Sequence, residues 1–136
     1  RKPDRPVSPL KEQPWRIILT HDASSIPADS ICLTDEFRDR TLVVENVFSY
    51  LELLKKLYND KKIGTILLEA GGCLGRGFLK AGLVDEWVGF YAPIIIGGGA
   101  DGVAPGPFLE HEAHLEQPVV NIFGDDVCIR GDICYR

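Results

Sequence analysis

The run Gly64–Glu86, GTILLEAGGCLGRGFLKAGLVDE, constrains the fold more than any other part of this chain. An apolar strand, "GTILLE", ends on a carboxylate, Glu69, and glycines follow almost at once. A strand end that only has to turn can use several residue types. One that must let a ligand reach its backbone needs Gly, which has no Cβ to hold the ligand away. From about Cys73, "CLGRGFLKAG" reads as a short helix closed by Gly82, a C-cap signal. Unpaired N–H groups and the dipole at such a helix start favour a phosphate. In open α/β sheets ligands collect at the carboxyl ends of strands, where Glu69 stands. The plainer alternative is a tight strand–helix turn with a solvated Glu69.

The rest of the chain supplies partners for that unit. "RKPDRPVSPLKEQP" (residues 1–14), with four prolines and many charges, reads as an extended arm. "WRIILT" (Trp15–Thr20), "ICLT" (Ile31–Thr34) and "TLVVE" (Thr41–Glu45) are short apolar runs that predict strands of a sheet covered on both faces. "SYLELLKKLYND" changes period: Tyr50, Leu53, Leu54, Leu57 and Tyr58 form one helical stripe, and Ser49 with Glu52 fits a capping box. "VDEWVGFYAPIII" predicts a long strand ending at Gly97–Gly98–Gly99. "PVVNIFGDDVCIRGDICYR" predicts a closing hairpin turning near Gly124–Asp125. The expected fold class is α/β, a single domain over 1–136 with a mainly parallel sheet, flanking helices and a C-terminal β-hairpin.

Composition narrows the function classes. The 136 residues are 45% apolar and 26% charged, ordinary for one globular domain. A net charge of −5 argues against a nucleic-acid-binding surface. No apolar run approaches the ~20 residues that span a bilayer, and no signal peptide opens the chain, so the expectation is a soluble, cytoplasmic protein. Cys32, Cys73, Cys128 and Cys134 form no C-x-x-C pair, and His21, His111 and His114 lack zinc-finger spacing, so reduced thiols and no structural metal are expected. "LEHEAHLEQ" (Leu109–Gln117) reads as a solvated acidic loop. "GGGADG" (Gly97–Gly102) fits G-x-G-x-x-G, but "VAPGPF" follows instead of a helix, so a dinucleotide fingerprint fails there. Trp87, Phe90 and Tyr91 offer apolar area either to the core or to a homodimer.

"ILLEAGGCLGRGFLKAGLVDEWVGFYAPIIIGGG" resembles the C-terminal portion of the reductase domain in bifunctional riboflavin-biosynthesis deaminase–reductases, proteins with a dihydrofolate-reductase-like fold. The matching positions are Glu69, Gly71, Phe78, Leu79, Ala81–Glu86, Ala92, Pro93 and Gly97–Gly98, and the likeness extends over roughly Pro14 to Arg130. It implies an NADPH-dependent reduction at the ribosylamino C1′ of a phosphorylated pyrimidine, of the 5-amino-6-(5-phosphoribosylamino)uracil type. It implies that Glu69 contacts substrate. It implies that Gly71, Gly72, Cys73, Leu74, Gly75, Arg76 and Gly77 form the cofactor-binding turn, with His21 a further cofactor contact. Three features depart from the family pattern. The family's first strand and helix, and its "D-x-P-x-L-T-x-R" motif, have no counterpart, so the N-terminal part of the domain is expected to be absent. Cys73 stands in place of the usual Thr, and Arg76 in place of a small residue. A non-catalytic nucleotide-binding or dimerisation module of the same fold is the alternative.

Overall fold

Branched side chains favour the extended backbone, and Arg16–Thr20 (RIILT) forms β1 in the computed structural model. It pairs in parallel with β2, Thr41–Glu45, placing Arg16 opposite Thr41 and Thr20 opposite Glu45. The structure describes residues 13–95, 109 and 112–136. These divide into one unit ending at Ser49 and a second beginning at Tyr50.

Parallel strands need a crossover, and in the first unit it contains a 3-10 turn, Ala23–Ser25, a helical turn α1, Ile31–Thr34, and a second 3-10 turn, Arg38–Arg40. The strand expected at Ile31–Thr34 is therefore a helix. Four apolar residues carry no period, and local bonds decide the matter. Ser30 N–H donates to Pro27 O (2.9 Å), Asp35 N–H to Ile31 O (2.9 Å), and Thr34 Oγ1 to Ser30 O (3.1 Å). Asp35 then takes both ends of the Arg16 guanidinium, at 2.6 and 2.8 Å, which ties α1 to β1.

The second unit opens with α2, Tyr50–Lys61, which buries Leu53 and Leu57 and leaves Tyr58 58% exposed. Lys62, at φ 58°, ends it. The strand expected over Gly64–Glu69 is absent: these residues are in neither helix nor strand. Ile66, Leu67 and Leu68 stay 39%, 81% and 36% exposed. A strand needs a ladder to satisfy its backbone groups, and the three strands of this unit pair with one another instead. The helix α3 runs Gly72–Lys80 and buries Phe78 and Leu79. Gly82, at φ +66°, closes it: its N–H bonds Leu79 O (3.0 Å), and Leu83 N–H bonds Phe78 O (3.1 Å). That is the paired bonding of a Schellman ending.

Beyond α3 the chain is pinned at once. Tyr135 Oη accepts from Val84 N–H and donates to Val84 O, both at 3.0 Å, and Ile133 N–H donates to Asp85 O at 2.8 Å. β3, Glu86–Tyr91, is shorter than the run expected for it. It lies antiparallel to β5, Asp126–Tyr135, whose other edge carries β4, Ala113–Phe123. β4 and β5 join through Gly124 (φ +64°) and Asp125. The loop expected through Gln117 is already strand from Ala113. A register shift between Glu116 and Val119 accommodates Gln117 (φ 45°) and Pro118, as an outer strand of a sheet permits.

The sheet composition thus differs from a mainly parallel one. Among the described residues parallel pairing is confined to β1–β2, and the larger sheet is antiparallel. Two long strands joined by a two-residue turn can pair only that way. Among the described residues, buried apolar side chains are few: Leu53, Leu57, Phe78, Leu79 and Cys128. All four cysteines are free thiols. The glycine run Gly97–Gly102, His111 and residues 1–12 lie outside the described residues.

Candidate functional site

Glu69 is exposed, and among the described residues no hydrogen bond or ion pair engages its carboxylate. Two residues later the backbone of Gly71 takes φ −65°, ψ 164°, an extended geometry at the N-cap of α3. A Cβ built on Gly71 would meet no atom of the described residues within 4 Å, so among them the turn is open on that side. The first helical bond runs from Gly75 N–H to Gly71 O (3.1 Å). The N–H groups of Gly72, Cys73 and Leu74 precede it and have no partner within the helix. No side chain caps α3, and no acidic residue stands in its first turn. Donors left uncapped at the positive end of a helix dipole suit an anionic oxygen.

The seven residues Gly71–Gly77 are therefore not one loop. Gly71 is the cap, Gly72–Leu74 the donor turn, and Gly75, Arg76 and Gly77 lie inside α3. Cys73 is exposed; Leu74, Gly75 and Arg76 are half-buried. The space over Gly77 is filled by the Tyr50 ring. The position read from sequence as part of a turn is thus a helix-packing position. Tyr50 itself was expected only as one member of the apolar stripe on α2. The signal for its second role is a Gly in a helix interior, which costs about 1 kcal/mol relative to Ala unless something needs the space.

His21 belongs to the first unit, whereas Glu69 and α3 belong to the second. It follows β1 and is exposed, in a turn ordered by its neighbours. Asp22 Oδ1 accepts from Ser24 N–H (2.8 Å) and Ser24 Oγ (2.6 Å), and these bonds hold its carboxyl below the usual carboxylate range. Glu45, at the matching end of β2, accepts the Ala23 N–H. Asn46 at φ 51° donates its N–H to Thr20 O (3.0 Å). Sequence reading singled out neither Glu45 nor Asn46, because their role depends on the parallel register of β1 and β2.

On the sheet of the second unit, the aromatic side chains divide between faces. Trp87 and Tyr91 fold over Gly89, where a Cβ would approach Trp87 Nε1 to 2.7 Å and Tyr91 Cε2 to 3.0 Å. Phe90 points the opposite way, its ring 6.0 Å from that of Phe123 on β4. Phe90 (64%), Phe123 (58%) and Tyr91 (49%) remain largely exposed. Arg130 Nε donates to Glu86 across the β3–β5 pair, and that bond raises the Arg130 pKa. Among the described residues no group of His, Cys, Asp and Glu is arranged to hold a metal, and no helix is long and apolar enough to cross a membrane.

The riboflavin biosynthesis protein RibD of Escherichia coli (strain K12) is 35% identical over 95 residues, covering 66% of this chain and 26% of that protein. RibD of Mycobacterium tuberculosis (strain H37Rv) is 32% identical over 87 residues, covering 64% and 23%. This chain thus spans about a quarter of the length of these relatives. Among solved structures, Acinetobacter baumannii RibD, form 2, superposes with a TM-score of 0.75 at 24% identity, over 90% of this chain and 38% of that one. Form 1 gives 0.74. The fold is therefore that of these RibD structures, dihydrofolate-reductase-like and mixed α/β. The family model of the RibD C-terminal domain matches residues 1–129, across both units, and the chain belongs to that family.

Proposed function

We propose that this chain is the part of an NADPH-dependent reductase of riboflavin biosynthesis that carries a cofactor turn and a substrate-contacting carboxylate. The observation that carries this reading is the uncapped start of α3, open over Gly71 two residues after Glu69, in a member of the RibD C-terminal domain family. NADPH, when bound, supplies the hydride for reduction at the ribosylamino C1′ of a phosphorylated pyrimidine. Gly71, Gly72, Cys73 and Leu74 would hold one of its phosphates through backbone N–H groups, and Arg76, in the next turn of α3, adds positive charge to that end. Cys73, standing where the family has Thr, leaves the backbone to supply the strong donors, because a thiol is a weak one. Glu69 orients a substrate hydroxyl or stabilises positive charge as hydride arrives. His21 serves as a further cofactor contact, and the protein works in the cytoplasm, as a homodimer in the fullest form of the reading. One family model spanning both units supports treating residues 1–136 as one partial reductase domain.

The exposure of Ile66, Leu67 and Leu68 favours keeping a second reading, a non-catalytic nucleotide-binding or dimerisation module. Apolar side chains flanking the site would then serve a partner and not a substrate pocket.

Gly71→Val tests the cofactor turn. The backbone at Gly71 is ordinary for any residue and the space beside it is empty, so folding should tolerate the side chain. A phosphate approaching the same backbone should not. NADPH titration by fluorescence, in protein joining this chain to the rest of a RibD sequence, is expected to show at least a tenfold weaker affinity, about 1.4 kcal/mol. Equal affinity for the two forms would remove the turn from the cofactor site.

A further inference from the structure

Between α2 and α3 an aromatic ring lies against a residue that has no side chain. A Cβ on Gly77 would lie 2.8 Å from Tyr50 Cε2, 2.8 Å from Tyr50 Oη and 3.1 Å from Tyr50 Cζ. Real Cβ atoms do not come so near. The ring is also stacked on Phe78, with centroids 4.4 Å apart and planes 26° from parallel. Phe78 is 6% exposed, so the stack is anchored in the small core of this unit. Swinging the ring away would break that stack.

We infer that Tyr50 is a positioning residue for the start of α3, fixing where the N–H groups of Gly72–Leu74 point by setting the hydroxyl-bearing edge of its ring against Gly77 while its face stacks on Phe78. The inference rests on the reading of α3 as a cofactor turn. Gly77 lies five residues into α3, about 7.5 Å along a helix that moves as a rod. A displacement forced at Gly77 is therefore delivered to the donor turn. Tyr50 is the first residue of α2, so the ring ties the start of that helix to the C-terminal half of α3. A helix-interior glycine kept for this close approach costs helix propensity, and the ring contact explains why an alanine does not occupy the position.

The sign of one substitution separates this role from ordinary helix stability. With open space at Gly77, Gly77→Ala would slow amide exchange over Gly72–Arg76 by about fivefold, through propensity alone. With Tyr50 in place, Gly77→Ala should instead speed exchange there while β4 and β5 stay protected. Tyr50→Ala combined with Gly77→Ala frees the space and should return exchange to the wild-type rate or below it. Tyr50→Phe keeps the ring and should resemble wild type. In protein completed with the rest of a RibD sequence, Gly77→Ala should raise KM for NADPH about tenfold with kcat nearly unchanged, since misplaced binding groups cost affinity before chemistry. Slower exchange in Gly77→Ala regardless of residue 50, or an unmoved KM beside faster exchange, overturns the inference. Wild-type protein that fails to bind NADPH counts against the cofactor reading itself, while the exchange pattern alone still decides whether Tyr50 fixes the turn.

Discussion

An alanine at Gly82 would have to hold φ at +66° with a Cβ present, although nothing lies within 4 Å of that Cβ. The cost is therefore purely conformational, and Gly82→Ala should lower stability by about 1–2 kcal/mol, read as a shifted urea midpoint at unchanged slope. Gly82 was legible in the sequence because glycine past a helix end has one dominant use. Glu69 is the opposite case. Sequence pointed to it as a strand-end carboxylate, and the structure places it exposed, with no described partner, on a segment that is not a strand. Glu69→Gln keeps the size and one carbonyl acceptor but removes the charge. If the carboxylate stabilises positive charge at the substrate, kcat/KM should fall about 10²–10³-fold, of the order expected for an electrostatic group aimed at a transition state. The urea midpoint should move by less than about 1 kcal/mol, as for an exposed substitution. A midpoint that collapses together with activity would make Glu69 structural.

Elements whose identity depended on many residues were readable, and those that depended on a partner were not. The stripe on α2 has a long enough period to declare itself, and the β4–β5 connection has a turn glycine between two branched runs. Ile31–Thr34 is too short for a period, so hydrogen bonds from Ser30 and Asp35 made it helical. Gly64–Glu69 has the composition of a buried strand, but composition does not supply a ladder. The position of Tyr50 over Gly77 needed two helices in place before it could be seen. Within the first unit, the Arg16–Asp35 fork links β1 to α1 and has a pH signature. The hydrogen bond from Arg16 lowers the Asp35 pKa from its ordinary 3.8; burial opposes it more weakly, and the Phe37 N–H and the Arg16 charge lower it further. A carboxylate depressed in the fold contributes stability above its unfolded pKa and loses it as pH falls through the folded value. Protection of β1 and α1 should thus be flat above about pH 5 and decline below about pH 4. Asp35→Asn should remove that decline, as amide exchange across the acid range would report. A slope unchanged in the variant would assign it to other carboxylates.

At the scale of the molecule, the chain combines a RibD fold with only part of a RibD length, 38% of the solved Acinetobacter baumannii protein. Leu67, two residues before Glu69, is 81% exposed, and Ile94 and Ile95, at 71% and 99%, are further apolar surface. Surface of that kind marks a place for a ligand or another piece of protein. The central claim is that this chain provides working parts of a reductase, and the direct measurement is NADPH oxidation. Protein joining this chain to the rest of a RibD sequence is mixed with NADPH, with and without the phosphorylated ribosylamino-pyrimidine, and the loss of cofactor absorbance is followed. The expected result is oxidation that requires the pyrimidine. Folded protein that binds NADPH yet shows no pyrimidine-dependent oxidation would contradict the claim and leave the non-catalytic module in its place.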